Sequence, residues 1–430
     1  ANSRAKIAVI GWGGQGKSSV NSIVNSKDAD IAALCDVDEG YAAHCYRDDW
    51  GKRLMEKISG LPKFKDYRVM LDKMDRDIDG VCVCTPDHSH YPICSWAIAK
   101  KKHVFCEKPL TRTIWESREL NRLAAEAGVY TQMGNQVHTN DAWRTIREWF
   151  ESGIMGEVED VYAWTDRSWG FDSMPQETSK PATLDYDLWL NVAHPRPFSG
   201  RVVPFNWRGL RDFGTGSAGD MGCHFLDNPY SAFGLGTPFK LVSDALPAKD
   251  FSWPKAATID MFFKNKFGKD GIVKIHWFDG LRRPKEIRGV DPEFLKDPKN
   301  MNCIFIVGTK NTMTFEYTGS GVRLVDRGAQ IKLAKDGKIP PKKLERNRFP
   351  FNPQADWASA IVEGRMPESN FSYAAPFTEV VLLSMISCIH PGTELKYDEK
   401  TMSFPNFPEA DKYVRSLYSY RSEFLPSALR

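Results

Sequence analysis

The chain has 430 residues, 42% hydrophobic and 26% charged, with 58 Lys plus Arg against 55 Asp plus Glu and a formal net charge of +3. This composition excludes a disordered chain, a collagen and a coiled coil, and the balance of charge gives no reason to expect nucleic acid as a partner. The longest nearly apolar run, Val380 to Ile389, is half of the about 20 residues a membrane span needs, so no membrane role is expected.

Nine Cys without a CxxC pair argue against zinc ribbons and thioredoxin-type motifs. Cys35, Cys82 and Cys84 sit in apolar runs and read as small core hydrophobes. Thirteen Trp offer faces that can stack on sugar C–H groups, although large cores also use them. The sequence starts Ala1-Asn2-Ser3 without an initiator Met, and the expectation is that an upstream segment was removed.

The first 135 residues alternate between strand and helix patterns. Strands are expected at Lys6–Ile10, Ile31–Cys35, Gly80–Cys84, His103–Cys106 and Val129–Met133. Helices are expected at Lys17–Asn25, Gly40–Lys57, Tyr67–Met74, Pro92–Lys100 and Ile114–Ala127. Pro92 is placed in the first turn, where its missing N–H costs nothing. Such alternation implies a doubly wound parallel sheet with right-handed crossovers, an α/β Rossmann domain over residues 1–137.

The rhythm then changes. A helix is expected at Asn140–Glu151, followed by strands at Val158–Thr165, Thr258–Phe263, Gly271–Phe278, Met301–Val307, Thr312–Phe315 and Val322–Asp326. Helices are expected at Gly222–Phe233, Gln354–Val362 and Pro376–Ile389. Residues 138–430 therefore read as an α+β domain on a large, mostly antiparallel sheet.

Gly11-Trp12-Gly13-Gly14-Gln15-Gly16 fits G-x-G-x-x-G between an expected strand and an expected helix. The glycines allow the tight turn, the approach of a pyrophosphate to the backbone and close helix–strand packing. The helix N-terminus offers N–H groups to phosphate. Asp36 ends the second strand, where a carboxylate accepts from ribose hydroxyls and repels a 2′-phosphate. NAD is therefore expected rather than NADP.

Thr85-Pro86-Asp87-His88-Ser89-His90 and Glu107-Lys108-Pro109 each follow a strand, so both loops should face the cofactor. The H-x-H pair lacks further ligands, and no metal is expected. Lys108 can carry a proton if partial burial lowers its pKa, and the Lys108-Pro109 bond is a candidate cis peptide. Asp220 and His224, at i and i+4, can meet one ligand from one helix face, the His as base and the Asp as hydroxyl acceptor.

The order of these elements, with Gly134-Asn135-Gln136, Asp185-Tyr-Asp-Leu-Trp189, Phe205-Asn-Trp-Arg208, Ile306-Val-Gly-Thr-Lys310 and the residues around Glu379 and Tyr397-Asp398, resembles the glucose–fructose oxidoreductase / inositol dehydrogenase (Gfo/Idh/MocA) family over nearly the whole chain. The branch it resembles is the long form of carbohydrate-degrading bacteria. The resemblance implies a Rossmann domain followed by an open-faced sheet whose free face joins copies into a homo-oligomer. It implies hydride transfer between nicotinamide and a secondary alcohol carbon of a sugar, glycoside or cyclitol. Lys108, Asp220 and His224 would be catalytic. Gly11, Gly13, Gly14, Gln15, Gly16, Asp36, Thr85, Pro86, His90, Glu107, Lys108, Asn135 and Gln136 would hold the cofactor. Trp189, Trp207 and Arg208 would line the substrate cleft. Some relatives in this fold instead cleave glycosides without net redox change, by transient oxidation of the sugar ring, and that is the alternative reading. The protein would be soluble, cytoplasmic, or periplasmic if a twin-arginine signal preceded Ala1.

Overall fold

Short apolar runs bounded by glycine make buried parallel strands. The computed structural model describes residues 4–430 and shows a parallel sheet of six strands, of which the edge strand Lys63–Phe64 is not buried. They are β1 (Ala5–Ile10), β2 (Ala29–Cys35), β3 (Lys63–Phe64), β4 (Gly80–Val83), β5 (His103–Cys106) and β6 (Thr131–Met133), in the order β3-β2-β1-β4-β5-β6. The order reverses between β1 and β4, which opens a crevice at the carboxyl ends of the strands. Register makes that edge even: Ile10 pairs with Cys35 and Val83, Val83 with Cys106, and Cys106 with Met133. Gly11, Asp36, Cys84, Glu107 and Gly134, the residues that follow, thus share one rim.

Three local expectations are corrected. The helix expected over Gly40–Lys57 is two, Glu39–His44 and Asp49–Ile58, because the Asp48 carboxylate accepts from the Gly51 amide at 2.5 Å and caps a new start. The helix expected from Pro92 begins at Asp87, and the one expected from Pro376 begins at Phe371. Both prolines lie inside their helices. In the first case the added turn, Asp87-His88-Ser89-His90-Tyr91, is wholly buried although its composition reads as loop.

The second sheet has eight strands: β7 (Val158–Trp164), β8 (Lys240–Ala245), β9 (Ala257–Lys264), β10 (Ile272–Phe278), β11 (Cys303–Gly308), β12 (Thr312–Glu316), β13 (Ser320–Leu324) and β14 (Leu395–Lys396). Their order is β13-β12-β11-β7-β10-β9-β8-β14, and all pairs are antiparallel except β7 with β10. β8, β14 and β3 have no counterpart in the sequence reading. In β9, Ala257, Ile259, Met261 and Phe263 are buried, whereas Thr258, Asp260, Phe262 and Lys264 are not. That period of two gives one packed face and one open face. Helices Phe371–Ser387 and Gly216–Phe225 pack together beneath the buried face. On the open face His276 bonds to Asp160 at 2.9 Å and Asp260 at 2.6 Å.

Helix Pro353–Glu363 returns to the first sheet. Its Trp357 is fully buried against Phe105, with ring centroids 5.9 Å apart, and donates its indole N–H to the Tyr130 carbonyl at 3.1 Å.

Candidate functional site

The turn after β1 admits glycine at two positions for reasons of space. Gly11 has φ +80°, and a Cβ there would lie 2.7 Å from the Cys84 carbonyl oxygen. A Cβ on Gly16 would lie 1.8 Å from the Gly11 carbonyl oxygen, so helix Gly16–Val24 packs onto the strand end only because Gly16 has none. The Gly13 and Gly14 amides have weak partners, the Asp36 carboxylate at 3.5 Å and the Cys45 sulfur at 3.2 Å. Gln15 has no side-chain capping bond and donates instead to Glu107 at 3.4 Å. These amides suit an anion better than the partners they have.

From this turn a cavity of about 770 Å³ runs between the two sheets' loops. That is ample for a nucleotide ligand, in the upper part of the roughly 300–1,000 Å³ usual for ligand pockets. Asp36, Thr85, Pro86, Glu107, Lys108 and Gln136 line it together with Gly11, Gly13, Gly14 and Gln15. Burial pushes the Asp36 carboxyl up to about 7, against hydrogen bonds from the Asp38 and Gly13 amides that favour the charged form. Lys65 and His44 also line this end. Lys65 follows β3 and donates to the Thr183 carbonyl at 3.2 Å.

A strap from the part of the chain beyond the first sheet crosses the same end. Leu184 bridges to Asp38, the Asp185 amide donates to the Val37 carbonyl at 2.9 Å, and the Thr183 hydroxyl donates to Asp38 at 2.5 Å. Pro181, Thr183 and Leu184 thereby form part of the cavity wall.

At the opposite end the predicted Lys108, Asp220 and His224 line the cavity together. The Lys108 ammonium donates to Asp220 Oδ1 at 2.6 Å and to its backbone carbonyl at 3.0 Å. Trp169 Nε1 donates to Asp220 Oδ2 at 2.8 Å, and the Arg208 guanidinium lies 3.6 Å from Oδ1. Burial alone would raise Asp220, but Lys108, Arg208 and these hydrogen bonds hold it well below the usual carboxylate range. Burial likewise disfavours the Lys108 cation, yet Asp220 beside it carries the pKa above the ordinary value. The condition under which Lys108 could act as a proton carrier, a pKa lowered by burial, is therefore not met, because the ion pair favours its charged form. Burial, reinforced by Lys108, pushes His224 down to about 3, so its imidazole is neutral at pH 7. The cluster combines a fixed cation, a fixed anion and a neutral base. The Lys108–Pro109 peptide is cis, as the turn suggested.

Trp189, Trp207 and Arg208 also line the cavity, and Arg208 stacks on Trp207 with its Cζ 4.3 Å from the ring centroid. Three predicted cofactor contacts do not line it. His90 is buried with Nδ1 at 3.0 Å from the Pro109 carbonyl and Nε2 at 2.8 Å from the Thr85 carbonyl, so it ties two cavity loops together from behind. Asn135 gives its amide N–H to Asp227 at 2.7 Å and accepts from Ser369 at 2.5 Å in a buried network. Gly16 serves packing. Sequence reasoning missed Asp87, which lines the cavity, accepts from the Thr215 hydroxyl at 2.8 Å and is pushed up to about 7 by burial. Its signal was available, since it belongs to the Thr85–His90 segment that follows β4. Trp169 carried no signal, because its partner lies 51 residues away. Among the described residues no cluster of His, Cys, Asp and Glu is arranged to hold a metal.

Two family profiles match this architecture. One, "Oxidoreductase family, NAD-binding Rossmann fold", covers residues 5–135, and the other, "Oxidoreductase family, C-terminal alpha/beta domain", covers residues 144–236. The chain is 26% identical over 152 residues to myo-inositol 2-dehydrogenase of Thermotoga maritima, a match spanning 35% of this chain and 42% of that one. It is 25% identical over 163 residues to levoglucosan dehydrogenase of Pseudarthrobacter phenanthrenivorans, spanning 38% and 34%. These matches span less than half the length of the curated relatives. In fold it resembles aldose-aldose oxidoreductase of Caulobacter crescentus, with a TM-score of 0.59, 15% identity and coverage of 92% of this chain and 100% of that one. With the fold and both profiles in agreement over more than half its length, the chain belongs to the Gfo/Idh/MocA oxidoreductase family.

Proposed function

We propose that the protein moves a hydride between NAD and a secondary alcohol carbon of a sugar, glycoside or cyclitol. The observation that carries this reading is the Lys108–Asp220 ion pair beside neutral His224, in one cavity with the glycine turn and Asp36. The Gly13 and Gly14 amides and Gln15 would hold the pyrophosphate, and Asp36 the adenosine ribose. When bound, the cofactor supplies the hydride acceptor or donor. His224 accepts the hydroxyl proton, which a neutral imidazole can do and an imidazolium cannot. Lys108 donates a hydrogen bond to the oxygen that gains negative charge and stabilises it. Asp220 keeps the ammonium in place and accepts from a neighbouring hydroxyl. Arg208 and the Trp faces position the ring. We propose further that the open face of the second sheet joins copies of the chain, because a partner there would cover the alternating uncovered side chains of β9 and β10.

The test supplies monosaccharides, cyclitols and aryl glycosides with NAD⁺ and follows NADH absorbance alongside released aglycone. Stoichiometric NADH with an intact glycosidic bond is the expected result. Aglycone release without NADH, with solvent deuterium entering the sugar beside the oxidised carbon, would replace this reading with redox-neutral cleavage.

A further inference from the structure

A second cavity, of about 390 Å³, opens beside the first. Its wall is the segment that leaves β7, Ser168 to Ser173, with Arg201, Asn206 and Lys255 opposite. The segment is pinned along its length. The Ser168 hydroxyl donates to the Lys255 carbonyl at 2.8 Å, the Trp169 amide to the Ser217 hydroxyl at 3.1 Å, and the Phe171 amide to the Ser252 hydroxyl at 2.7 Å. The cavity is thus a built feature rather than a gap beneath a loose loop.

Trp169 stands between the two cavities. Its indole N–H reaches Asp220 in the inner one, and its ring lines the outer one and meets Phe205 edge-on at 5.5 Å. The turn that follows Pro204 is shared in the same way, with Phe205, Trp207 and Arg208 facing inward and Asn206 outward. The lining of the outer cavity mixes two aromatic rings with hydroxyl, amide and charged groups. Lys255 is paired with Asp172, Asn206 with the Arg201 carbonyl and Ser168 with the Lys255 carbonyl, and an apolar ligand would strip water from these groups without replacing it. A bare anion would gain nothing from the aromatic rings. A sugar ring uses both, its C–H face on an aromatic and its hydroxyls on the polar rim.

We propose that the outer cavity is a subsite for a second sugar ring, so that the substrate is a disaccharide or larger glycoside with its reacting ring inside Trp169 and the next ring outside it. The inference rests on the carbohydrate reading of the inner site and narrows the substrate class within it.

The experiment is calorimetric titration of NAD-loaded protein with glucose, cellobiose, maltose, trehalose, galactose and lactose, with NADH formation followed on the same samples. At least one two-ring sugar is expected to bind about tenfold or more tighter than its one-ring component. Ser173→Phe, which fills the outer cavity from an exposed position, is expected to erase that margin. Equal affinity for one-ring and two-ring sugars overturns the subsite, as does a margin that survives Ser173→Phe. NADH formation without a margin leaves the oxidoreductase reading standing and removes the subsite. A margin without hydride transfer does the reverse.

Discussion

Lys108 and Asp220 show how a residue's neighbours decide its chemistry. By position alone Lys108 was a candidate for a lowered pKa, and burial does act in that direction, but an anion at 2.6 Å outweighs it. Lys108→Ala and His224→Ala are each expected to lower turnover by roughly 10²–10⁴-fold. Steady-state kinetics on a verified substrate will check this, and the double variant should fall short of the product of the single effects. Asp220→Asn leaves the Lys108 ammonium without its anion and is expected to destabilise the fold by about 3–5 kcal/mol, read from chemical denaturation. Asp36→Ala should narrow the gap between NAD and NADP affinity in fluorescence titrations, because it removes the carboxylate that repels a 2′-phosphate. That Lys108, Asp220 and Asp36 share one cavity was legible because Asp36 and Lys108 follow strands and Asp220 stands four residues before His224 on one helix. That Asn135 does not line the cavity was not legible, because its amide is committed to Asp227 and Ser369, side chains 92 and 234 residues away. No local pattern encodes such distant partners.

Periodicity identified most elements but missed β8, of six residues, as well as the two shortest strands. The buried strands of the first sheet were readable from apolar runs bounded by glycine. β3 and β14 have two residues each, too few for any period to show. The early starts of helices Asp87–Ala99 and Phe371–Ser387 were hidden because proline was given the first-turn position it often takes. On the open sheet face, burial disfavours the His276 cation, but hydrogen bonds and charge from Asp160 and Asp260 carry its pKa from 6.5 to about 9. A base held protonated by the fold stabilises it fully below the unfolded pKa and loses that contribution as pH rises through the folded one. His276→Gln should therefore cost roughly 1–3 kcal/mol near pH 6, with the difference closing above about pH 9 in denaturation midpoints measured across that range.

At the scale of the molecule, the two halves of the sequence are not two separate bodies. Helix Pro353–Glu363 seats Trp357 against Gly80 and Phe105 of the first sheet, more than 200 residues from the strands it covers. The change of rhythm near residue 138 marks where the chain leaves the first sheet, and it carries no sign of the return. A fragment of residues 1–137 would expose that face, and Trp357→Ala in the full chain should cost about 3–5 kcal/mol. Thermal unfolding should place the fragment well below the full chain.

The strap at Thr183 and Leu184 has a kinetic consequence. It comes from beyond the first sheet, yet it bonds to the loop beyond Asp36, at one wall of the cavity. A dinucleotide seated in the cavity could leave past its adenosine end only after the Asp38–Leu184 bridge and the Thr183 bond had opened. Entry and exit of the cofactor would then be governed by the breathing of a few hydrogen bonds rather than by affinity alone. Thr183→Gly, which removes the hydroxyl bond to Asp38, should speed NAD release in stopped-flow displacement by several-fold, since one net hydrogen bond is worth about 1 kcal/mol. Each alcohol oxidised would consume one NAD, so opening of the strap for exchange of reduced for oxidised cofactor, rather than hydride transfer, would set the turnover rate.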